Sequence, residues 1–151
     1  MAMTLPKEAF LALAALGWAD GSMRKDERAG LARAAKACGV EGDDLATVEA
    51  ALAKETSLAD FVPGDMTEWQ RLLTYALAVW LTRLDGIQST DEHASLSDLA
   101  KRLDLPKPTC ERASAAALDV AVLPAGGRPE TFDFVKLAER LREKLPQYAK
   151  A

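Results

Sequence analysis

Hydrophobic residues recur along the chain at the three- and four-residue spacing of an α-helix, and almost no segment alternates as a half-buried strand would. The spacing predicts about seven helices. Apolar stripes at Phe10–Gly17, Leu31–Cys38 and Leu96–Leu103 mark three of them, and the others run at about Asp43 or Asp44 to Lys54, Met66–Leu84, Thr109–Val122 and Glu130–Leu145. We therefore expect an all-α fold. The length of 151 residues suits one domain that spans residues 1–151.

Capping residues predict where several of these helices begin and end. Thr4 is a candidate N-cap, with Pro6 in the first turn, and Gly39 is a candidate C-cap for the second helix. Asp65 and Glu68 have the spacing of a capping box, in which each side chain accepts a hydrogen bond from a backbone N–H near the other residue. The helix that follows this box is apolar nearly all round between Leu72 and Leu81, so we expect it at the centre of the bundle.

The chain contains an internal repeat with a shift of 65 positions. Residues 13–40 align without gaps on residues 78–105, and each copy reads as a helix, an Asp-Gly turn and a second helix. The identical pairs include Asp20/Asp85, Gly21/Gly86, Asp26/Asp91, Glu27/Glu92, Leu31/Leu96, Ala35/Ala100 and Lys36/Lys101. We expect a pseudo-twofold bundle with repeat halves at about 5–55 and 66–122, a C-terminal helix at about 130–145 and two equivalent acidic corners.

Each acidic corner matches only the second half of an EF-hand loop, Asp-Gly-x5-Glu. The first and third ligand positions of that loop would be Leu16 and Trp18 in one copy, and Leu81 and Arg83 in the other. None of these side chains can bind a calcium ion. The corners are therefore not EF-hands.

Two interpretations of the acidic corners stay open. In the first, the glycines end one helix and the acidic residues favour the N-terminus of the next, so the corners are only helix caps. In the second, the carboxylates of both copies share one weak site for a Ca²⁺, Mg²⁺ or Mn²⁺ ion, since these cations prefer oxygen ligands. The ligands would then be Asp20, Glu27, Asp85 and Glu92, supported by Asp26 and Asp91.

At these residues the sequence resembles the TerB-like family of small helical tellurite-resistance proteins and their relatives. The resemblance rests on Ala15–Gly21 with Glu27, and on Leu81–Gly86 with Glu92. It implies an all-α fold of two related halves, acidic clusters suspected of binding metal ions, and a non-catalytic role in tellurite resistance or another stress response. Arg24 and Lys25 depart from this pattern, because their positive charges oppose a cation at the first corner.

Composition and charge exclude several classes of function. The net charge of −4 disfavours binding to nucleic acid, and no apolar run reaches the length that spans a bilayer. Residues 106–151 carry eight basic and six acidic side chains, so an acidic partner would dock there. We expect a cytoplasmic monomer or weak homodimer with possible protein partners. The alternative to ion binding is a helical adaptor module.

The residues of this chain do not predict an enzyme. His93 is the only histidine, too few for a transition-metal site or a catalytic triad, and no serine or cysteine has an evident base as partner. Cys38 and Cys110 lie far apart in Ala-rich segments, which predicts buried free thiols. Trp18, Trp69 and Trp80 are expected to be core or half-buried residues.

Overall fold

A computed structural model describes residues 5–18, 25–54, 66–82, 90–121 and 134–146. These residues form α1 (Lys7–Gly17), α2 (Lys25–Ala37), α3 (Gly42–Ala53), α4 (Glu68–Thr82), α5 (Thr90–Arg102), α6 (Lys107–Ala121) and α7 (Phe134–Lys144). No strand occurs within these ranges. The all-α prediction is confirmed. None of the helices in the described part of the chain is long and apolar enough to cross a membrane.

Helix α4 lies at the centre of the bundle. It packs against α1, α5, α6 and α7, and every residue from 72 to 80 is buried. A helix in contact with neighbours on all sides needs apolar side chains on all faces, which is why its sequence lacks a polar stripe. Helix α1 is the second central element, since it packs against α2, α3, α4 and α5.

The core is continuous and contains side chains from all seven helices. Its largest fully buried members are Trp80, Phe10, Leu13, Leu16, Leu31, Leu52, Leu72, Leu73, Leu77 and Leu99. Replacing any one of these leucines by alanine should lower the free energy of unfolding by about 2–5 kcal/mol. Cys38 and Cys110 are buried free thiols, and Trp18, Trp69 and Trp80 are half-buried or buried, as predicted.

Several helix boundaries recur at the 65-residue shift of the sequence repeat. Helices α1 and α4 end at Gly17 and Thr82, α2 and α5 end at Ala37 and Arg102, and α3 and α6 begin at Gly42 and Lys107. The first helix of each half packs on the second and third helices of the same half, and α1 also packs on α4. The pseudo-twofold relation of the two halves stays a prediction.

The C-terminal caps of α2 and α5 have the same hydrogen bonds. After α2, Gly39 has φ of 88°, and the N–H of Val40 donates to the carbonyl of Ala35 at 3.0 Å. After α5, Asp104 has φ of 57°, and the N–H of Leu105 donates to Ala100 at 3.1 Å. This is the Schellman geometry, in which a left-handed residue lets the next N–H reach the unpaired carbonyls of the last turn. Gly39 therefore ends α2 as predicted.

Two N-terminal caps differ from the prediction. Pro6 is itself the N-cap of α1, in an extended conformation with φ of −72° and ψ of 163°, so it precedes the first turn. At α4 the capping box is formed by Thr67 and Gln70, two residues beyond Asp65, which lies outside the described residues. The Thr67 hydroxyl accepts the Gln70 N–H at 3.1 Å, while the Gln70 amide oxygen accepts the Thr67 N–H at 3.0 Å. This Thr-x-x-Gln pair satisfies the same pattern as the expected one.

Candidate functional site

The residues predicted to bind a cation lie at the edge of the described structure. Asp20 and Asp85 lie outside it. Glu27 and its neighbour Asp26 are in the first turn of α2, and Glu92 and its neighbour Asp91 are in the first turn of α5, but their side chains are not among those described. Among the side chains that the structure describes, no three His, Cys, Asp or Glu residues form a group that could hold a metal ion. The predicted site is therefore not tested.

The end of α1, which leads into the first acidic corner, is held against α3. Trp18 follows the last residue of α1, and its indole Nε1 donates a hydrogen bond of 3.1 Å to the carbonyl of Ala51. Its backbone N–H donates to the carbonyl of Ala14, also at 3.1 Å. Because Trp18 is half-buried and two residues from Asp20 in the sequence, its fluorescence should change if a cation binds at the first acidic corner.

A separate cavity is lined by residues of α4, α5, α6 and the connection between α5 and α6. It has a volume of about 490 Å³ and is open to solvent on one side. We call it the α5–α6 cleft, and its lining is Tyr75, Ser97, Ala100, Lys101, Leu105, Lys107, Cys110, Glu111 and Ser114. Most of the lining surface is apolar.

The inner end of the cleft holds three neutral polar side chains, of which Tyr75 is the partner of the other two. The hydroxyl of Tyr75 makes hydrogen bonds with Ser114 and with the thiol of Cys110. The thiol in turn donates to the carbonyl of Leu105 at 3.9 Å, which leaves its sulfur lone pairs free to accept the tyrosine hydroxyl. Burial raises the pKa of Tyr75 and of Cys110, so both groups keep their protons at neutral pH.

Charged side chains lie at the outer edge of the cleft. Lys101 in the last turn of α5 and Lys107 at the start of α6 are both exposed. Neither lysine forms an ion pair within the described part of the chain. Glu111, one helical turn after Lys107, also lines the cleft, so the three side chains together carry a net charge of about +1.

The sequence does not predict this cleft, because no motif links its residues. The two repeat copies differ at its polar positions. At the shift of 65 positions, Tyr75 aligns with Phe10 and Cys110 aligns with Leu45. Phe10 is fully buried and Leu45 packs against the core. Tyr75 and Cys110 therefore align with apolar residues of the first copy, whereas Ser114 aligns with Glu49.

The chain has no match among known proteins in any of three comparisons. A scan against protein-family models found no matching family, and searches of curated proteins and of solved structures found no similar protein. The resemblance to the TerB-like family stays a prediction that rests on the residues of the two acidic corners.

Proposed function

We propose that this protein is a non-catalytic, TerB-like helical protein of a stress response, in which the two acidic corners together bind one divalent cation weakly. The ligands are Asp20, Glu27, Asp85 and Glu92, with Asp26 and Asp91 in support. The cation is Ca²⁺, Mg²⁺ or Mn²⁺, because the ligand set is made of oxygen atoms alone.

The recurrence of the helix boundaries supports this proposal. Helices α2 and α5 both begin with a first turn that carries an Asp-Glu pair, and both end with the same left-handed cap. The helices that precede them, α1 and α4, pack on each other. A shared site requires the two acidic turns to lie close together, and the contact between α1 and α4, the helices that lead into them, is consistent with this requirement. Two carboxylates at one corner would be too few for a calcium site, which usually takes six to eight oxygen ligands.

A calorimetric titration of chelator-treated protein with Ca²⁺, Mg²⁺ and Mn²⁺ tests the proposal, with tryptophan fluorescence read in parallel. We expect saturable binding of one ion per chain. If the site is shared, Asp20→Asn and Asp85→Asn each weaken the single binding event. If the corners bind independently, each substitution removes one of two events instead, and the shared site is wrong.

Asp43→Asn is the matched control for these substitutions. Asp43 also lies in the first turn of a helix and is exposed, but it is in α3 and belongs to neither acidic corner of the sequence. It removes the same charge, so it should leave cation binding unchanged. Equal loss of binding in Asp43→Asn would reveal a response to net charge only. Absence of heat and of fluorescence change at millimolar cation would leave the corners as helix caps and favour the adaptor module.

The stress-response role needs a separate test in cells. Expression of the protein in a tellurite-sensitive bacterium should increase growth on tellurite, and the double variant Asp20→Asn/Asp85→Asn should lose this effect at equal protein level. An unchanged phenotype in the double variant would separate the stress role from cation binding.

A further inference from the structure

The α5–α6 cleft combines features of a small-molecule site. Its volume of about 490 Å³ is within the range of about 300–1,000 Å³ that is typical of ligand pockets. Such pockets are mostly apolar, with a few polar groups that orient the ligand. Here Ala100, Leu105 and the ring of Tyr75 provide apolar surface, and the Tyr75 hydroxyl lies among its hydrogen-bond partners at the inner end.

The charges of the cleft indicate the kind of ligand. Lys101 and Lys107 come from two different helices, line the same opening and lack a described ion-pair partner. An anionic group at the opening would interact with both ammonium groups while an apolar body enters the cleft. Glu111 offsets one of the two positive charges, which favours a ligand with a single negative charge over a polyanion.

The first repeat copy provides a reference for what this position needs for stability alone. There Phe10 and Leu45 occupy the places of Tyr75 and Cys110, and both belong to or pack against the core. In the first copy, the side chains at these two positions thus pack without a hydroxyl or a thiol. A buried polar group adds a desolvation cost. The Tyr75 hydroxyl and the Cys110 thiol of the second copy are therefore not required by the fold.

We propose that the α5–α6 cleft binds a small amphipathic monocarboxylate. The apolar chain of the ligand lies against Ala100, Leu105 and the ring of Tyr75. The carboxylate stays at the opening between Lys101 and Lys107. The site is distinct from the acidic corners, so this proposal is independent of cation binding.

Decanoate is the first probe, with decanol and acetate as matched comparisons. Decanol keeps the apolar chain and lacks the charge, whereas acetate keeps the carboxylate and lacks the chain. Titrations followed by calorimetry at pH 7.4 should give one saturable site for decanoate. Decanol should bind about fivefold or more weakly, the equivalent of about 1 kcal/mol, and acetate should show no saturation.

Single substitutions locate the site. Lys101→Gln and Lys107→Gln should each weaken decanoate binding about threefold to fivefold, and Glu111→Gln should strengthen it by a similar factor. All three side chains are exposed, so the fold should tolerate these changes. Tyr75→Phe introduces the side chain that the first copy has at this position and keeps the ring against which the apolar chain lies, so decanoate binding and the helical circular dichroism should both be unchanged.

Lys36→Gln is the control, because Lys36 is the exposed lysine that aligns with Lys101 in the first copy. It removes the same charge from the equivalent position of α2. Decanoate affinity should not change in this variant. Equal binding of decanol and decanoate, equal loss in Lys36→Gln and Lys101→Gln, or absence of saturation at 10 mM decanoate would each overturn the proposal.

Discussion

Gly39 and Asp104 occupy the same structural position, two residues after the last residue of α2 and of α5, and both have a left-handed backbone. They are 65 residues apart in the sequence. Glycine adopts this conformation without a steric cost, whereas aspartate does so with a penalty that its short polar side chain only partly relieves. One structural requirement is thus met by a favourable residue in the first copy and a less favourable one in the second.

Substitutions at these two positions should have opposite effects on stability. Asp104→Gly should raise the free energy of unfolding by about 0.5 kcal/mol, because it removes the left-handed strain and a negative charge near the C-terminal end of α5. Gly39→Ala should lower it by about 1 kcal/mol. A Cβ atom at Gly39 would meet nothing within 4 Å, so this loss would come from the backbone conformation alone. Urea denaturation of both variants measures the two changes.

Gly39→Asn is the matched variant at the same position. Asparagine tolerates the left-handed region better than alanine, so its cost should be smaller. If the alanine and asparagine variants lost equal stability, the left-handed conformation would not be the cause.

The capping box at the start of α4 should contribute measurably to stability. Thr67→Ala removes the acceptor for the Gln70 N–H and should lower the free energy of unfolding by about 1 kcal/mol. Gln70→Ala should cost less, since the Thr67 N–H that it leaves is exposed and can bond to water. A double-mutant cycle of the two positions should give a positive coupling energy. Strict additivity would contradict a reciprocal box.

The buried thiol of Cys38 should make the protein less stable at alkaline pH. Burial raises the pKa of this thiol from 9.0 to about 12. Between these two values the unfolded chain loses the proton while the folded chain keeps it, so the free energy of unfolding falls as pH rises, by at most about 1.4 kcal/mol per pH unit. Below pH 9.0 both states are protonated, and this contribution to stability is fully present.

Urea denaturation between pH 8 and pH 11 checks this prediction. Cys38→Ala should reduce the slope of stability against pH, whatever its effect on stability at neutral pH. Part of the slope should persist, because burial also raises the pKa of Tyr75 and Cys110. An identical slope in the wild-type protein and the variant would show that Cys38 does not titrate as proposed.

Arg142 should be a site where removal of a charge stabilises the protein. Its guanidinium carbon lies 5.4 Å from the centre of the Trp69 ring, while its Nε and Nη2 atoms are buried and have no hydrogen-bond partner among the residues that the structure describes. A desolvated cation–π contact contributes about 2 kcal/mol, less than the combined cost of two buried donors without acceptors at about 1–3 kcal/mol each. Arg142→Met replaces the guanidinium with an unbranched apolar side chain and should raise the midpoint of thermal unfolding.

Arg140→Met serves as the comparison. Arg140 is an exposed arginine on the same helix, with an ion pair of 3.2 Å to Glu143. Removal of this pair should change stability by less than about 1 kcal/mol. If Arg142→Met destabilised the protein more than Arg140→Met, the contact of Arg142 with Trp69 would outweigh the cost of burying the guanidinium donors without acceptors.

The helices could be predicted from the sequence because their apolar spacing is regular, and their C-terminal caps could be predicted where a glycine stands after the last turn. Gly39 was visible for that reason, whereas Asp104 was not, since aspartate in a left-handed conformation has no specific local signal. The capping box of α4 was misplaced by two residues because two overlapping patterns, Asp65–Glu68 and Thr67–Gln70, satisfy the same rule. The α5–α6 cleft depends on tertiary contacts between three helices, which no local pattern records.

The packing of α1 on α4 and α5 makes the two halves dependent on each other. The first half provides apolar side chains that cover α4, so a fragment of either half alone would expose surface that the intact chain buries. A chain cut between residues 54 and 66 would turn this internal contact into an association of two molecules. Its stability would then depend on concentration, and the separate fragments should regain helical structure when they are mixed.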